Sequence, residues 1–106
     1  MSKKAKEGRR KRPYVASILA LGGNLGDRVA NIDSAVAAIG ETKGVKFRQL
    51  SPLVESYAVT AAGVDESKPN YINAVVRIDT RLKPKRLLKE MRRIESNLGR
   101  VRVERW

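Results

Sequence analysis

Apolar residues along the chain follow two periods, and these periods predict where its helices and strands lie. Residues 14–21 form a nearly continuous apolar run followed by glycines, which predicts a central strand covered on more than one side. Helical spacing follows in four apolar residues, Val29, Ile32, Val36 and Ile39. Asp27 is the predicted N-cap of this first helix, and Gly40 is its predicted stop.

The middle of the chain carries shorter and weaker strand patterns. Residues 45–51 alternate in part between apolar and polar, which predicts a half-exposed strand. Pro52 interrupts this pattern, and residues 53–57 are expected to resume it as an edge strand past a bulge. Residues 59–68 are small, polar or acidic, and they predict a loop of about ten residues.

Residues 71–79 have a clear period of two, which predicts a strand with one apolar face and one mixed face. The apolar face carries Ile72, Ala74, Val76 and Ile78. The mixed face presents Tyr71 and Asn73, and an amide can read the edge of a heterocycle because it both donates and accepts hydrogen bonds. An ordinary solvent face with a cross-strand tyrosine is the alternative interpretation.

A second amphipathic helix is predicted from Pro84, which suits a first helical turn, to Gly99, which ends it. Its apolar stripe consists of Leu87, Leu88, Met91, Ile94 and Leu98. Most of the charged residues on the opposite face are interpreted as simply solvated. Glu95 lies one turn before the arginine-rich end of the chain and is expected to face the same space as Arg100 and Arg102.

The predicted order of strand, helix, two or three strands and helix defines an α+β sandwich with both helices on one face of an antiparallel sheet. It corresponds to an incomplete ferredoxin-like unit, βαββα(β), in which the strand after the second helix is expected to be absent. We expect that absence to expose the flank of the first strand, where self-association could occur.

Two segments suggest ligand chemistry. Three arginines, Arg100, Arg102 and Arg105, come shortly before Trp106, and guanidinium groups bind phosphate oxygens in bidentate fashion. An indole can stack on a ring, so this segment predicts binding of a polyphosphate beside a flat heterocycle. Residues 22–26 are rich in glycine but match neither G-x-G-x-x-G nor the P-loop, so a tight turn is favoured over a phosphate cradle.

Composition narrows the classes of partner and site. The 106 residues, 42% of them hydrophobic, suit one domain. The net charge of +12 favours anionic partners, and half of it lies within residues 1–14. Residues 1–13 are expected to be a disordered basic leader.

The chain has no cysteine and no histidine, which excludes disulfides and removes the commonest zinc ligands. No membrane-length apolar run or signal peptide is visible, so a cytoplasmic protein is expected.

Four blocks of sequence occur in a characteristic order: ALGGNLGDR at residues 20–28, YINAVV at 71–76, IE at 94–95 and GRVRVERW at 99–106. Together they resemble the hydroxymethyl-dihydropterin pyrophosphokinase family of folate biosynthesis, over about residues 14–106. The resemblance implies a ferredoxin-like fold and transfer of pyrophosphate from ATP to the hydroxymethyl group of 6-hydroxymethyl-7,8-dihydropterin. It also implies the use of two Mg²⁺ ions.

The same resemblance assigns roles to individual residues. It implies three pterin contacts, Tyr71, Asn73 and Trp106, with Asn73 at the ring edge. It implies four ATP-binding residues, Glu95, Arg100, Arg102 and Arg105. The three arginines would also be catalytic and would belong to a mobile loop, with Arg105 nearest the triphosphate. The glycine-rich segment would act as a lid over the site.

The chain departs from the family pattern in two places. Residues 59–62 read VTAA where the family often has Thr, Pro and a large apolar residue, so no role is assigned there. After the tryptophan the family continues with Gly-Pro-Arg and an Asp-x-Asp segment that holds both metals. This chain has no Asp-x-Asp, so no metal ligand is assigned in it. Residues 14–106 are therefore expected to be a truncated pyrophosphokinase-like domain that lacks its C-terminal strand and metal-binding segment.

A basic module that binds RNA or another nucleic acid without catalysis is the competing hypothesis, because ferredoxin-like sheets with helices on one face also bind RNA. Such readers stack bases on several sheet aromatics, whereas aromatic residues make up only 5% of this chain. Nucleic acid is therefore the less favoured partner.

The expected lack of metal-binding aspartates leads to a first prediction. Residues 1–106 alone should show little or no turnover with ATP, Mg²⁺ and 6-hydroxymethyl-7,8-dihydropterin, because metal ions neutralise much of the charge on a transferring phosphoryl group. A steady-state assay of AMP release measures this. Robust turnover by the 106-residue chain would contradict the expectation.

Overall fold

The computed structural model describes residues 12–67, 70–99 and 101–105. The predicted disorder of residues 1–11 lies outside this part of the chain. The described elements are β1 (Val15–Gly23), α1 (Arg28–Glu41), β2 (Val45–Leu50), β3 (Val54–Ser56), β4 (Ala58–Thr60), β5 (Gly63–Asp65), β6 (Tyr71–Thr80), α2 (Pro84–Leu98) and β7 (Arg102–Arg105). Neither of these two helices is long and apolar enough to span a bilayer.

The main sheet has the strand order β2-β6-β1-β7, and the short strand β3 also pairs with β6. Every pairing in it is antiparallel. The longest ladder joins β1 to β6 from Val15 opposite Thr80 to Gly23 opposite Ile72. Both helices contribute to one apolar core against this sheet. The predicted α+β class is therefore confirmed, and the strand order is that of a ferredoxin-like sandwich.

The core is built from the alternating apolar faces of the strands and from one stripe of each helix. The predicted inward face of β6 is confirmed, because Ile72, Ala74, Val76 and Ile78 are all buried. In α2 the stripe is narrower than predicted: Leu87 is buried, whereas Leu88 is 46% exposed. The next residue along a helix lies about 100° away around its axis, so Leu88 falls outside the buried face.

Local capping explains where the helices begin and end. The Asp27 carboxylate accepts a hydrogen bond from the backbone N–H of Ala30 over 3.1 Å, as expected for the predicted N-cap. The predicted stop at Gly40 is wrong, because α1 continues to Glu41 and is capped by Thr42. The Thr42 hydroxyl donates to the Ala38 carbonyl, which satisfies one of the last carbonyls of the helix. Gly99 ends α2, as predicted, and the structure shows it in the left-handed conformation.

The arginine-rich end of the chain forms a strand, so the expectation that no strand follows the second helix is wrong. β7 pairs with β1 from Leu19 opposite Arg105 to Gly22 opposite Arg102. Val101 and Val103 are buried in the core. Their alternation with charged residues supplies the apolar face that a strand needs, and the flank of β1 expected to be exposed is paired over these residues.

The predicted loop at residues 59–68 is also partly wrong, because it contains most of a small hairpin. β4 and β5 pair from Ala58 opposite Asp65 to Thr60 opposite Gly63. Gly63 has a φ of 110°, a conformation that a residue with a side chain rarely adopts. This glycine permits the tight reversal that the composition alone did not indicate.

Burial of Val103 gives a direct test of β7. Val103→Ala should lower the free energy of unfolding by about 1–3 kcal/mol, because it removes buried methyl groups and leaves a cavity. Val75→Ala is the matched control: Val75 also lies in a strand but is 42% exposed, so its loss should be less than about 0.5 kcal/mol. Urea denaturation of both variants measures the difference. Equal losses would show that Val103 is not held in the core.

Candidate functional site

A cavity of about 490 Å³ lies near the end of β1, bordered by the open sheet face, which the helices do not cover, and by the end of α2. Strand alternation places Asn73 on this open face of β6, and the ladders place Gly22 beside Asn73 and Arg102 beside Gly22. Three neighbouring strands therefore line up an amide, a bare backbone position and a guanidinium. The remaining wall residues are Ala20, Leu21, Gly23, Asn24, Leu25, Tyr71, Glu95, Gly99, Val101 and Glu104.

The side-chain amide of Asn73 has a defined orientation. Its Nδ2 donates to the Ser56 hydroxyl oxygen over 2.6 Å and lies 3.4 Å from the Val54 carbonyl oxygen. A backbone carbonyl can only accept hydrogen bonds, so the NH₂ group must face β3. The amide oxygen then faces Gly22, where an added Cβ atom would lie 3.3 Å from it. Asn73 therefore presents a hydrogen-bond acceptor beside the bare position of Gly22.

Gly22 is a site residue that the sequence interpretation missed. Gly22 and Gly23 belong to β1 rather than to a tight loop, so that part of the prediction is wrong. The turn itself begins at Asn24, and the Asn31 side chain holds it by donating to the Leu25 carbonyl over 3.0 Å. The missing side chain at Gly22 keeps the space between Asn73 and Tyr71 open. The glycine run was visible in the sequence, but the strand register that brings Gly22 beside Asn73 was not.

A second cavity of about 750 Å³ adjoins the first. The two share Glu95, Arg102 and Glu104 as wall residues. The second adds Arg92 and Arg105, so three guanidinium groups border it. Arg92 is exposed, in keeping with the solvated interpretation of most of this helix face, and it also borders this cavity, which the sequence analysis did not predict. Its spacing of three from Glu95, which puts both on one side of α2, was the available signal.

Arg102 lines both cavities, and its one described ion pair is weak enough to leave its guanidinium available to an anion. Its Nη1 lies 3.7 Å from Glu104 Oε1, and both side chains are largely exposed. Exposed ion pairs of this kind contribute about 0–1 kcal/mol, so a phosphate can compete for the guanidinium. Glu95 and Glu104 both border the cavities, but no group of three potential metal-ligating side chains forms among the described residues. We therefore assign no Mg²⁺ ligand among the described residues.

The structure brings together only part of the predicted set of site residues. Tyr71, Asn73, Glu95 and Arg102 all line the first cavity. Arg105 lies at the other end of β7, where its Nε is 3.4 Å from the Ser17 hydroxyl, and it borders the second cavity instead. Arg100 and Trp106 lie outside the described residues, so their predicted contacts stay predictions.

This arrangement defines a class of protein: a ferredoxin-like domain whose open sheet face borders a cavity beside a cluster of arginines. Residues 18–106 match the family model described as 7,8-dihydro-6-hydroxymethylpterin-pyrophosphokinase. The chain therefore belongs to this pyrophosphokinase family, as its ordered sequence blocks predicted.

Curated relatives agree with the family model. The chain is 35% identical over 92 residues to the 2-amino-4-hydroxy-6-hydroxymethyldihydropteridine pyrophosphokinase of Haemophilus influenzae, covering 87% of this chain and 55% of that protein. The enzyme of the same name from Methylorubrum extorquens is 39% identical over 88 residues, covering 83% and 53%. The chain thus spans about half the length of these relatives.

A solved structure with a similar fold is a dinuclear metal binding peptidase from Bacillus subtilis, with a TM-score of 0.54. It is 9% identical in sequence, and the match covers 92% of this chain and 27% of that one. Identity this low shows a shared fold and carries no statement about activity.

The bare position of Gly22 predicts a sensitive substitution. Gly22→Ala should push the Asn73 amide out of place, because the new Cβ atom would lie 3.3 Å from its oxygen. We expect the Asn73 side-chain amide signals in ¹H–¹⁵N NMR spectra to shift. Gly40→Ala is the control. Gly40 lies in α1, and its added Cβ atom would lie 3.8 Å from the Phe47 Cβ atom of β2, which is an ordinary van der Waals contact. Unchanged Asn73 signals in Gly22→Ala would contradict the described packing.

Proposed function

We propose that this chain carries the heterocycle-binding part of an enzyme that transfers pyrophosphate from ATP to 6-hydroxymethyl-7,8-dihydropterin. The observation that carries the proposal is the oriented amide of Asn73, which shares a cavity with Tyr71, Glu95 and Arg102. Family membership supports the reaction class, and the cavity supports the placement of the ring.

Recognition of the ring follows from the groups on the open face. A pterin has an amino group and a lactam N–H on one edge, and both need hydrogen-bond acceptors when they leave water. The oxygen of Asn73 supplies one such acceptor beside Gly22. Tyr71 borders the same space with an aromatic ring that can pack on the flat heterocycle.

The adjoining arginines suit the phosphate side of the reaction. Pyrophosphoryl transfer forms a bond between the hydroxymethyl oxygen and the β-phosphorus of ATP, breaks the bond from that phosphorus to the α–β bridging oxygen, and releases AMP. The protein mainly has to align the groups and neutralise charge. Arg102 stands at the junction of the two cavities, and Arg92 and Arg105 border the second. We assign these three residues to the phosphates of ATP.

Magnesium enters this proposal only as the family's expected cofactor. When bound, it neutralises phosphate charge and orients the oxygens of the nucleotide. Because no group of three potential ligating side chains forms among the described residues, no residue of that part is assigned to the metal.

The competing hypothesis, RNA binding, gains no support from the open face. Tyr71 is the aromatic residue that lines the cavity there. Tyr14 is already engaged, because Lys46 Nζ and Arg81 Cζ lie 4.2 Å and 4.1 Å from its ring centroid. One aromatic residue at the cavity does not make the stacking platform by which RNA readers of this shape bind several bases.

Binding of the ring can be tested apart from catalysis. Asn73→Ala should weaken binding of 6-hydroxymethylpterin by roughly 1–3 kcal/mol, because the ring edge loses a buried hydrogen-bond partner. Isothermal titration calorimetry, with and without a non-hydrolysable ATP analogue, measures the affinity.

Asn97→Ala is the matched control, since Asn97 is an exposed residue of α2 that lines neither cavity. Its affinity should equal that of the unsubstituted chain. If the unsubstituted chain binds no pterin under either condition, the proposed function is wrong. If it binds and Asn73→Ala binds equally well, the assigned orientation of the ring is wrong.

A further inference from the structure

A group of polar contacts on the helix side of the sheet lies outside the two cavities. Arg28, the first residue of α1, donates from Nη1 to the Asn70 carbonyl oxygen over 2.7 Å. Its Nη2 lies 3.4 Å from Glu55 Oε1, and the Asn70 side-chain amide lies 3.4 Å from the other Glu55 oxygen. One guanidinium therefore joins three segments that are distant in sequence: the start of α1, β3 and the residue before β6.

These contacts hold the strand that orients Asn73. In β3, the Ser56 hydroxyl and the Val54 carbonyl face the Asn73 amide. Glu55 lies between Val54 and Ser56, so strand alternation directs its side chain to the opposite face. The contacts of Arg28 and of Asn73 therefore both link β3 to β6 or to the residue before it, and the two sets lie on opposite faces of the sheet.

The strand β3 needs such support because it is short. It pairs with β6 over three residues, whereas β1 pairs with β6 over the whole length of β1. A short edge strand gains little from its own ladder, so side-chain ties decide how firmly it is held. Any movement of β3 would carry the Ser56 hydroxyl with it and release the Asn73 amide.

Arg28 lies at an unfavourable place for a cation, which indicates that its contacts with Glu55 and Asn70 outweigh the cost to local helix stability. A cation in the first turn of a helix is disfavoured, because the backbone dipole makes that end positive. The Asp27 carboxylate at the N-cap offsets part of this cost, but the first turn itself contains no acidic residue. A residue that breaks a local rule in this way is expected where a longer-range contact outweighs the local cost.

We propose that Arg28 is a positioning residue for recognition of the heterocycle. Through Glu55 and Asn70 it holds β3 against β6, and β3 in turn keeps the oxygen of Asn73 directed at Gly22. Arg28 lines neither of the two cavities, so it acts without touching the ring. This inference rests on the proposed function for the identity of the ligand, and the experiments below separate the two.

Replacement of the guanidinium is the first test. Arg28→Met should weaken binding of 6-hydroxymethylpterin about tenfold, as expected for loss of one well-oriented hydrogen bond. Arg86→Met is the matched control, because Arg86 makes a comparable contact to Glu90 at 3.6 Å on α2. Arg28→Lys keeps a cation with donors and should restore part of the affinity. Equal affinity of Arg28→Met and the unsubstituted chain would overturn the inference.

A double-mutant cycle shows whether Arg28 acts through Asn73. In an Asn73→Ala background, Arg28→Met should change the affinity by less than about twofold, because the group it positions is already gone. A merely structural loss would instead add its full effect in both backgrounds. Additive losses would therefore overturn the inference.

A ligand-free measurement completes the test. The Asn73 side-chain amide signals, identified by their loss in Asn73→Ala, should shift or broaden in Arg28→Met and stay unchanged in Arg86→Met. Unmoved signals in Arg28→Met would overturn the inference. If the signals move but the unsubstituted chain binds no pterin, the proposed function fails and the positioning of Asn73 by Arg28 stands.

Discussion

The antiparallel ladder between β1 and β6 is the interaction on which the site depends. Its register puts Gly22 opposite Asn73, and burial of Ile72 and Ala74 on the helix side holds that register. Because side chains alternate along a strand, a slip of one residue would turn Asn73 into the core and bring an apolar side chain to the open face. The hydrophobic core therefore sets the position of a polar group that lies outside it.

The two faces of the sheet have different roles: one packs against the helices and the other carries the polar groups of the candidate site. The helix side supplies the apolar burial that stabilises the fold, while the open side bears the amide, the bare glycine and the guanidinium. β7 takes part in both, since Val103 is buried in the core while Arg102 lines the cavity. A ligand group carried by a strand is held more rigidly than one on a free loop, which suits the alignment of two substrates.

Features set by neighbouring residues were predictable from the sequence, and features set by distant partners were not. The Asp27 cap, the end of α2 at Gly99 and the two faces of β6 depend on local geometry, and each was predicted correctly. The strand β7 was missed because its arginines suggested a ligand, although its valines alternate with charged residues. The orientation of Asn73 depends on Ser56, seventeen residues away, and no local pattern reveals that contact. The same holds for Arg92, whose place beside the second cavity depends on where β7 packs.

The engagement of Tyr14 by two cations has a consequence for how the surface charge acts. Tyr14 immediately precedes β1, whereas Gly22 lies near its other end, about 25 Å away along an extended strand. Mobile ions screen exposed charges over about 8 Å at physiological ionic strength. The positive charge at Tyr14 is therefore largely screened from Arg102, whereas Arg105, whose Nε lies 3.4 Å from the Ser17 hydroxyl, stands closer to it. The basic end of the molecule can thus attract polyanions without drawing them away from the phosphate position proposed at Arg102.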